Sequence, residues 1–365
     1  FAMGSDIGLL CQAISTKALP LLLQEVDAEA SSAASEVDPP WHAVQALFST
    51  LAITLPAEPT AGTDHPGLPL WRQHWNYIEA ALLRWPVSSS TDQPAQAACT
   101  ALVSAVRGLP ALLPEALRLL TASAAQSALP DAQVGALRDV ARGAPCPPLD
   151  ATTAAGLLKE AITNVVGNLL LRAEVPQSPQ TVTGIFELLS DAMRHSPEVA
   201  GAGLCDDRLR PMLVAEQGFL SRCLAFVGAV LPESSSAEAA RAMMVFVSHL
   251  VGDREELLAK NNPLASSLPC LYSGIACALA AQEHLEDLEN LGDVAETLCR
   301  LADAFPAEAA AALAGGLDAA QAPATIREQL LGHVSRRGEW QRGEWLEELK
   351  QIVCEWHSER RKYMP

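Results

Sequence analysis

Three segments of this chain repeat one spacing of apolar residues, and that spacing restricts the fold more than any other feature. The first is Val182, Ile185, Phe186, Leu189 and Met193. The second is Ala240, Met243, Met244, Val247 and Val251, and the third is Leu291, Val294, Ala295, Leu298 and Ala302. Each reads i, i+3, i+4, i+7, i+11, a single stripe along an α-helix. A longer, more uniformly apolar helix precedes each of them. β-branched runs of strand length are scarce, which disfavours a sheet. A strongly apolar helix followed by a one-faced helix, repeated, predicts an all-α fold, an α-solenoid of antiparallel helix pairs. Such a fold presents an extended surface and not a deep pocket, and its usual work is to bind another protein.

Clusters of Pro, Gly, Ser and Asp punctuate the chain at 28–40, 56–67, 86–94, 143–150, 175–179, 232–236 and 320–325. Between them the pattern predicts helices near 6–27, 41–55, 69–85, 93–108, 111–127, 131–142, 150–173, 180–195, 207–231, 236–252, 263–282, 286–304 and 306–316. A last helical stretch, 324–363, carries interruptions. Asp38 with Pro39, Asp150 and Ser235 read as helix starts. No linker is long enough to separate independent domains, so 6–365 reads as one continuous superhelix. Phe1–Ser5 reads as a cloning scar. The narrow-striped helices at 41–55, 93–108, 131–142, 180–195, 236–252 and 286–304 are expected to be the second of each pair and to line a concave face.

Charge bounds the partners. Acidic residues outnumber basic ones, 43 to 25, for a net charge of −18. That field repels nucleic acid and anionic membrane and attracts basic proteins. Nine cysteines without a CxxC pair read as reduced thiols, with Cys99, Cys223, Cys270, Cys277 and Cys299 as core residues. The uncharged stretch 261–282 is long enough to invite a membrane reading, but its Pro, Ser and Gly content favours a buried helix.

Chemistry is sparse. No GxSxG, HExxH, Walker or Gly-rich phosphate sequence occurs. The eight histidines are scattered, with no i, i+4 pair. No catalytic, cofactor-binding or metal-binding residue is therefore expected, no cofactor, and no enzyme activity. Glu283, Glu286, Asp287 and Glu289 read as an acidic first helical turn. Trp71, Trp75, Ile78, Leu82 and Trp85 follow a core-facing stripe. At the C-terminus, Leu346, Leu349, Ile352, Val353 and Trp356 read as the buried stripe of a capping helix. A partner-binding helix is the competing reading there, because Trp and Arg are frequent at interface hot spots. The charged residues that project away from the second-helix stripes, Glu187, Asp191, Arg194, Glu238, Arg241, Glu286, Asp287 and Asp293, are the candidate protein-binding set.

Some local wording adds a resemblance. Thr181–Leu189 followed by Arg194–Pro197, the helix around Ala242–Leu250, and Leu268–Ala281 with the helix after it resemble the C-terminal half of a β-karyopherin. The nearest group is that of importin-13 and transportin-SR, and the tail from Arg327 through Arg336 and Arg337 leans toward the importin-13 side. The resemblance runs from about residue 40 to the end and rests on the order of helices, not on one diagnostic motif. It implies HEAT-type helix pairs, a nucleocytoplasmic transport receptor shuttling between cytoplasm and nucleus, and basic or mixed-charge protein cargo on the concave surface. It implies a monomer, contacts with nuclear pore proteins, and Ran–GTP bound by an N-terminal arch that this chain lacks, which would make the chain a fragment. The arginine-rich helix that reads phosphorylated arginine–serine cargo in transportin-SR corresponds to Gln93–Gly108. Here Ala97, Thr100 and Val103 stand where arginines would be needed, and only Arg107 is kept. A generic HEAT scaffold or adaptor, unrelated to nuclear transport, would share the same helices.

Overall fold

A computed structural model of the chain describes residues 3–32, 42–55, 65–84, 93–128, 130–142, 150–193, 208–234, 236–251, 263–281, 288–336 and 342–363. Among these residues every regular element is a helix and no strand occurs. The chain divides into two compact units, Phe1–Val165 with Ser196–Leu209, and Val166–His195 with Arg210–Pro365.

In the first unit α1 (Met3–Ala13) runs through a π-helical segment, Ile14–Ala18, into α2 (Leu19–Ser32). Then come α3 (His42–Ala52), α4 (Gly67–Gln73), α5 (Trp75–Leu83), α6 (Gln93–Gly108), α7 (Leu113–Gln126), α8 (Asp131–Ala141) and α9 (Ala151–Leu169), whose last turn belongs to the second unit. Helices α2, α3, α6 and α8 form one row, each packed on the next. Behind it α5 packs on α6 and α7, and α7 on α8. The single helix expected over 69–85 is broken at His74, whose φ of −104° and ψ of 13° are not helical. Trp71 and Ile78 are fully buried on either side of the break. Trp75 is only half-buried, and Trp85 lies outside the described residues. Trp71 Nε1 donates to Thr54 Oγ1 at 3.2 Å, and the Thr54 hydroxyl donates to the Leu51 carbonyl at 2.7 Å. Ser123 ties three helices together: its hydroxyl donates to the Leu82 carbonyl at 3.0 Å and accepts from Gln133 Nε2 at 2.8 Å. Buried polar groups need such partners, since an orphan costs about 1–3 kcal/mol.

The second unit repeats the two-row plan. Its helices are α10 (Pro179–Met193), α11 (Leu209–Val214), α12 (Gln217–Val230), α13 (Ala237–Val251), α14 (Pro263–Ala281), α15 (Leu288–Ala304), α16 (Pro306–Ala319), α17 (Ala324–Ser335) and α18 (Arg342–Tyr363). The expected helix over 207–231 is thus two, interrupted between Val214 and Gln217. One row is α10, α13 and α15; the other is α12, α14 and α16. The fifteen stripe residues of α10, α13 and α15 are all buried, none more than 5% exposed. The rings of Phe226 and Phe246 lie 5.9 and 5.5 Å from that of Phe186, joining α12 and α13 to α10.

The α12–α14–α16 row depends on glycine. A Cβ on Gly274 would stand 2.7 Å from the Gly228 carbonyl oxygen, and one on Gly316 would stand 2.5 Å from that of Tyr272. These backbones touch because no side chain separates them. α14 is also the one described helix long and apolar enough to cross a membrane. It packs instead against α12, α16 and α18, with Leu268, Leu271, Tyr272 and Ile275 buried.

Helix starts and stops follow local chemistry. Asp150 caps α9 as expected: its carboxylate accepts from the backbone N–H of Thr152 and Thr153, both at 2.9 Å. At α13 the capping side chain is Ser236, which accepts from Ala239 N–H at 3.3 Å. The expected cap Ser235, and Asp38 with Pro39, lie outside the described residues. α16 ends in a Schellman turn, with Ala322 N–H donating to Leu317 O and Gln321 N–H to Asp318 O. The left-handed residue there is Gln321, φ 55°, where glycine is usual.

α18 packs on α14, α15 and α17. Its buried stripe is Trp345, Leu349, Ile352, Val353 and Trp356, so Trp345 takes the place expected of the half-buried Leu346. His357 Nε2 donates to the Leu279 carbonyl at 2.6 Å and Arg360 Nη1 to that of Ala280 at 2.7 Å. Both close the C-terminus of α14, whose last carbonyls have no partner within the helix. Burial of Trp345 and Trp356 matches the capping-helix reading. Trp340 and Arg337 lie outside the described residues.

Candidate protein-binding surface

Burial on α10 and α13 extends beyond the expected stripes, to Leu188 and Ala192 and to Ala239, Ala242, Phe246 and Leu250, and the candidate set lies on the narrower faces that remain. Glu187 and Asp191 stand half-buried on α10, Glu238 and Arg241 lie exposed on α13, and Asp293 is half-buried on α15. Arg194, Glu286 and Asp287 lie outside the described residues, as do Glu283 and the side chain of Glu289.

The charges are engaged with one another to a degree not expected from the sequence. Arg241 Nε reaches Asp293 Oδ2 at 2.9 Å, bridging α13 and α15. Arg300 Nη2 pairs with Glu296 Oε1 at 2.7 Å one turn away on α15, and Arg300 Nη1 donates to the Ser248 carbonyl of α13 at 3.3 Å. The Thr297 hydroxyl, fully buried, lies between the Met244 carbonyl at 3.1 Å and that of Asp293 at 2.8 Å. On the other side, His249 Nδ1 donates to the Ser190 carbonyl of α10 at 3.1 Å. Side chains therefore clasp α10 to α13 and α13 to α15. The i, i+4 spacing of Glu296 and Arg300 is a sequence signal that the stripe analysis did not use. The bonds to Ser248 and Ser190 leave no such signal, because they depend on how far one helix slides along the next.

The first unit offers a different surface. Between α3 and α6 runs an open groove of about 390 Å³. Its floor includes Phe48 and Ala101, both buried, and its edges include Gln45, Ser49, Gln96 and Thr100, all exposed. The departure noted on α6 falls here. Ala97 and Thr100 line the groove, whereas Val103 is buried and Arg107 points to the Asp139 carbonyl of α8 at 3.4 Å.

Ionisable groups elsewhere are set by packing. His333 is fully buried, stacked on Trp345 with ring centroids 4.2 Å apart. Burial pushes its pKa down, and this outweighs the opposite pull of Glu348. The Glu348 carboxylate lies 3.4 Å from Nδ1 without hydrogen-bond geometry, and it pairs with Arg336 at 3.1 Å. His74 is likewise shifted down by burial. Burial pushes the Cys223 thiol up to about 12, which suppresses its thiolate. Cys99 is buried as expected, Cys277 and Cys299 are half-buried, and Cys270 is exposed. The core reading therefore fails for Cys270, which stays exposed although its Sγ lies over Gly228 of α12. Among the described residues no group of three or more His, Cys, Asp or Glu side chains is arranged to hold a metal ion.

Comparison with protein-family models, with curated proteins and with solved structures finds no match for this chain.

Proposed function

We propose that the chain is an α-solenoid of HEAT-type helix pairs that binds other proteins on its row of second helices, as a cargo-binding segment of an importin-13-like β-karyopherin. One observation carries the reading. All six helices singled out by their narrow stripes fall in one row within their own unit, α3, α6 and α8 in the first and α10, α13 and α15 in the second. The faces that these rows leave uncovered carry the charged residues, and a net charge of −18 gives them an attraction for basic partners. Glu187, Asp191, Glu238, Arg241 and Asp293, with Arg194, Glu286 and Asp287, are the contact residues in this reading. The chain binds and does not transform its partner. Ran–GTP controls cargo through an N-terminal arch of a longer parent, nuclear pore proteins are further partners, and the receptor works as a monomer between cytoplasm and nucleus.

The test is a pull-down from nuclear extract with the longer parent receptor, with and without Ran–GTP. The reading predicts retained basic proteins whose recovery changes with Ran–GTP. Recovery indifferent to Ran–GTP leaves a HEAT scaffold without a transport role.

A further inference from the structure

The groove between α3 and α6 belongs to the first unit, and its chemistry differs from that of the charged row of the second. In a chain of net charge −18, no charged side chain lines it among the described residues. Its length follows α6 from Gln93 to Ser104, about 16 Å at ~1.5 Å per residue. That spans about five residues of extended peptide at ~3.3 Å each.

Three carboxamides, Gln45, Gln93 and Gln96, stand around the groove. Each offers donors and an acceptor on one planar group, the same pairing capacity as a peptide unit. The hydroxyls differ. Thr100 donates to the Gln96 carbonyl and Ser104 to the Thr100 carbonyl, both at 3.0 Å. Their protons are spent within α6, and their oxygens remain as acceptors for an incoming N–H. The floor is apolar because α6 presents only Ala97 and Ala101 opposite Phe48. Those two small side chains leave the space that a longer residue would fill.

We propose that this groove binds an extended, uncharged segment of a partner protein, its backbone hydrogen-bonded by the glutamine carboxamides and one apolar side chain seated on Phe48. Recognition of main chain by side-chain amides asks little of the partner's sequence beyond neutrality and one anchor. It uses an open channel, not an enclosed pocket, which fits a polypeptide passing through better than a small molecule held within. This site does not rest on the transport reading. Its partner is neutral where that reading requires a basic one.

The experiment uses the full chain and a pool of capped peptides of about seven residues, built from Ser, Thr, Asn, Gln, Leu and Val. Matched pools carry two Lys or two Glu. Peptides retained from the neutral pool are then measured singly by fluorescence anisotropy at low and high salt. The proposal predicts retention from the neutral pool alone and affinity flat with salt. Ala97→Trp, which fills the groove, should remove binding. Gln45→Ala with Gln96→Ala, both at exposed positions, should weaken it about tenfold, the equivalent of ~1.4 kcal/mol. N-methylation of the peptide backbone should weaken it similarly. Melting curves confirm that each variant is folded, and should Ala97→Trp fail to fold, the double glutamine variant decides. Preference for a charged pool, no retention from any pool, or binding indifferent to both the glutamine variant and N-methylation overturns the proposal.

Discussion

The seam between α3 and α6 and the seam between α13 and α15 each join neighbouring helices of one row, one in each unit, yet one is open and the other is clasped. Across α13 and α15, Arg241 meets Asp293, Arg300 meets the Ser248 carbonyl, and Thr297 lies against the Met244 carbonyl. At the α3–α6 seam Thr100 and Ser104 return their protons to their own helix. Long charged side chains at a seam bridge it. Alanines with short hydroxyl residues leave a groove. On the readings proposed above, two seams of the same helix-on-helix kind take different partners, a folded charged surface at one and an extended neutral segment at the other.

The sharpest way to break this comparison is through glycine. In the second unit Gly316 sits against the Tyr272 backbone, whereas a Cβ on Gly135 of α8 in the first unit would meet nothing within 4 Å. Gly316→Ala should therefore destabilise by about 1–3 kcal/mol through overpacking. Gly135→Ala should stabilise by about 0.5–1 kcal/mol, the usual helix-interior gain. Urea unfolding of the two variants checks both, and equal effects would mean that the close approach of α14 and α16 is wrong.

Acid should act on the C-terminal helices of the second unit next. Burial lowers the pKa of His333 from its ordinary 6.5, so the unfolded chain takes up a proton first. The stability gained by a neutral imidazole is complete above pH 6.5 and declines as pH falls below it toward the folded value. The slope cannot exceed ~1.4 kcal/mol per pH unit for one proton. Denaturation midpoints of the wild type and His333→Phe, followed down from pH 7, should diverge in slope, with the variant flatter. Parallel curves would remove His333 from the account.

Gln321→Gly should stabilise by about 1 kcal/mol, because a left-handed φ of 55° is strained for glutamine and free for glycine. No gain in thermal midpoint would contradict the Schellman turn at the end of α16.

Much of the helical layout was legible because stripe spacing reports which face is buried. Gln93–Gly108 follows from it, as does the grouping of α3, α6 and α8, and of α10, α13 and α15, within their own units. The break at His74 was hidden, because neither glycine nor proline marks it and the apolar stripe continues through it. Trp345 was passed over for Leu346 because both sit near the edge of the same stripe. Of the candidate charged residues, side-chain type showed which ones leave the core, but not that Arg241 and Asp293 neutralise each other. That pairing depends on the register between helices forty residues or more apart in sequence. The groove was invisible for the opposite reason, since it is made of what Ala97 and Ala101 lack.

The smallest effect is expected at the clasp itself. A double-mutant cycle on Arg241→Ala and Asp293→Ala should give a coupling of ~0.2–1 kcal/mol that fades with salt, since the arginine is half-exposed. Coupling indifferent to salt would mean that the pair is held by something other than charge.

The central claim is that the row of second helices is the surface on which the protein meets its partners. A photo-crosslinking amino acid placed at Glu187 or Glu238, and in parallel at exposed Leu171 outside that row, reads it directly. The account predicts adducts with basic proteins in nuclear extract from the first two positions, reduced by salt, and none from Leu171. Adducts from Leu171 alone, or none from the row in any extract, would contradict it.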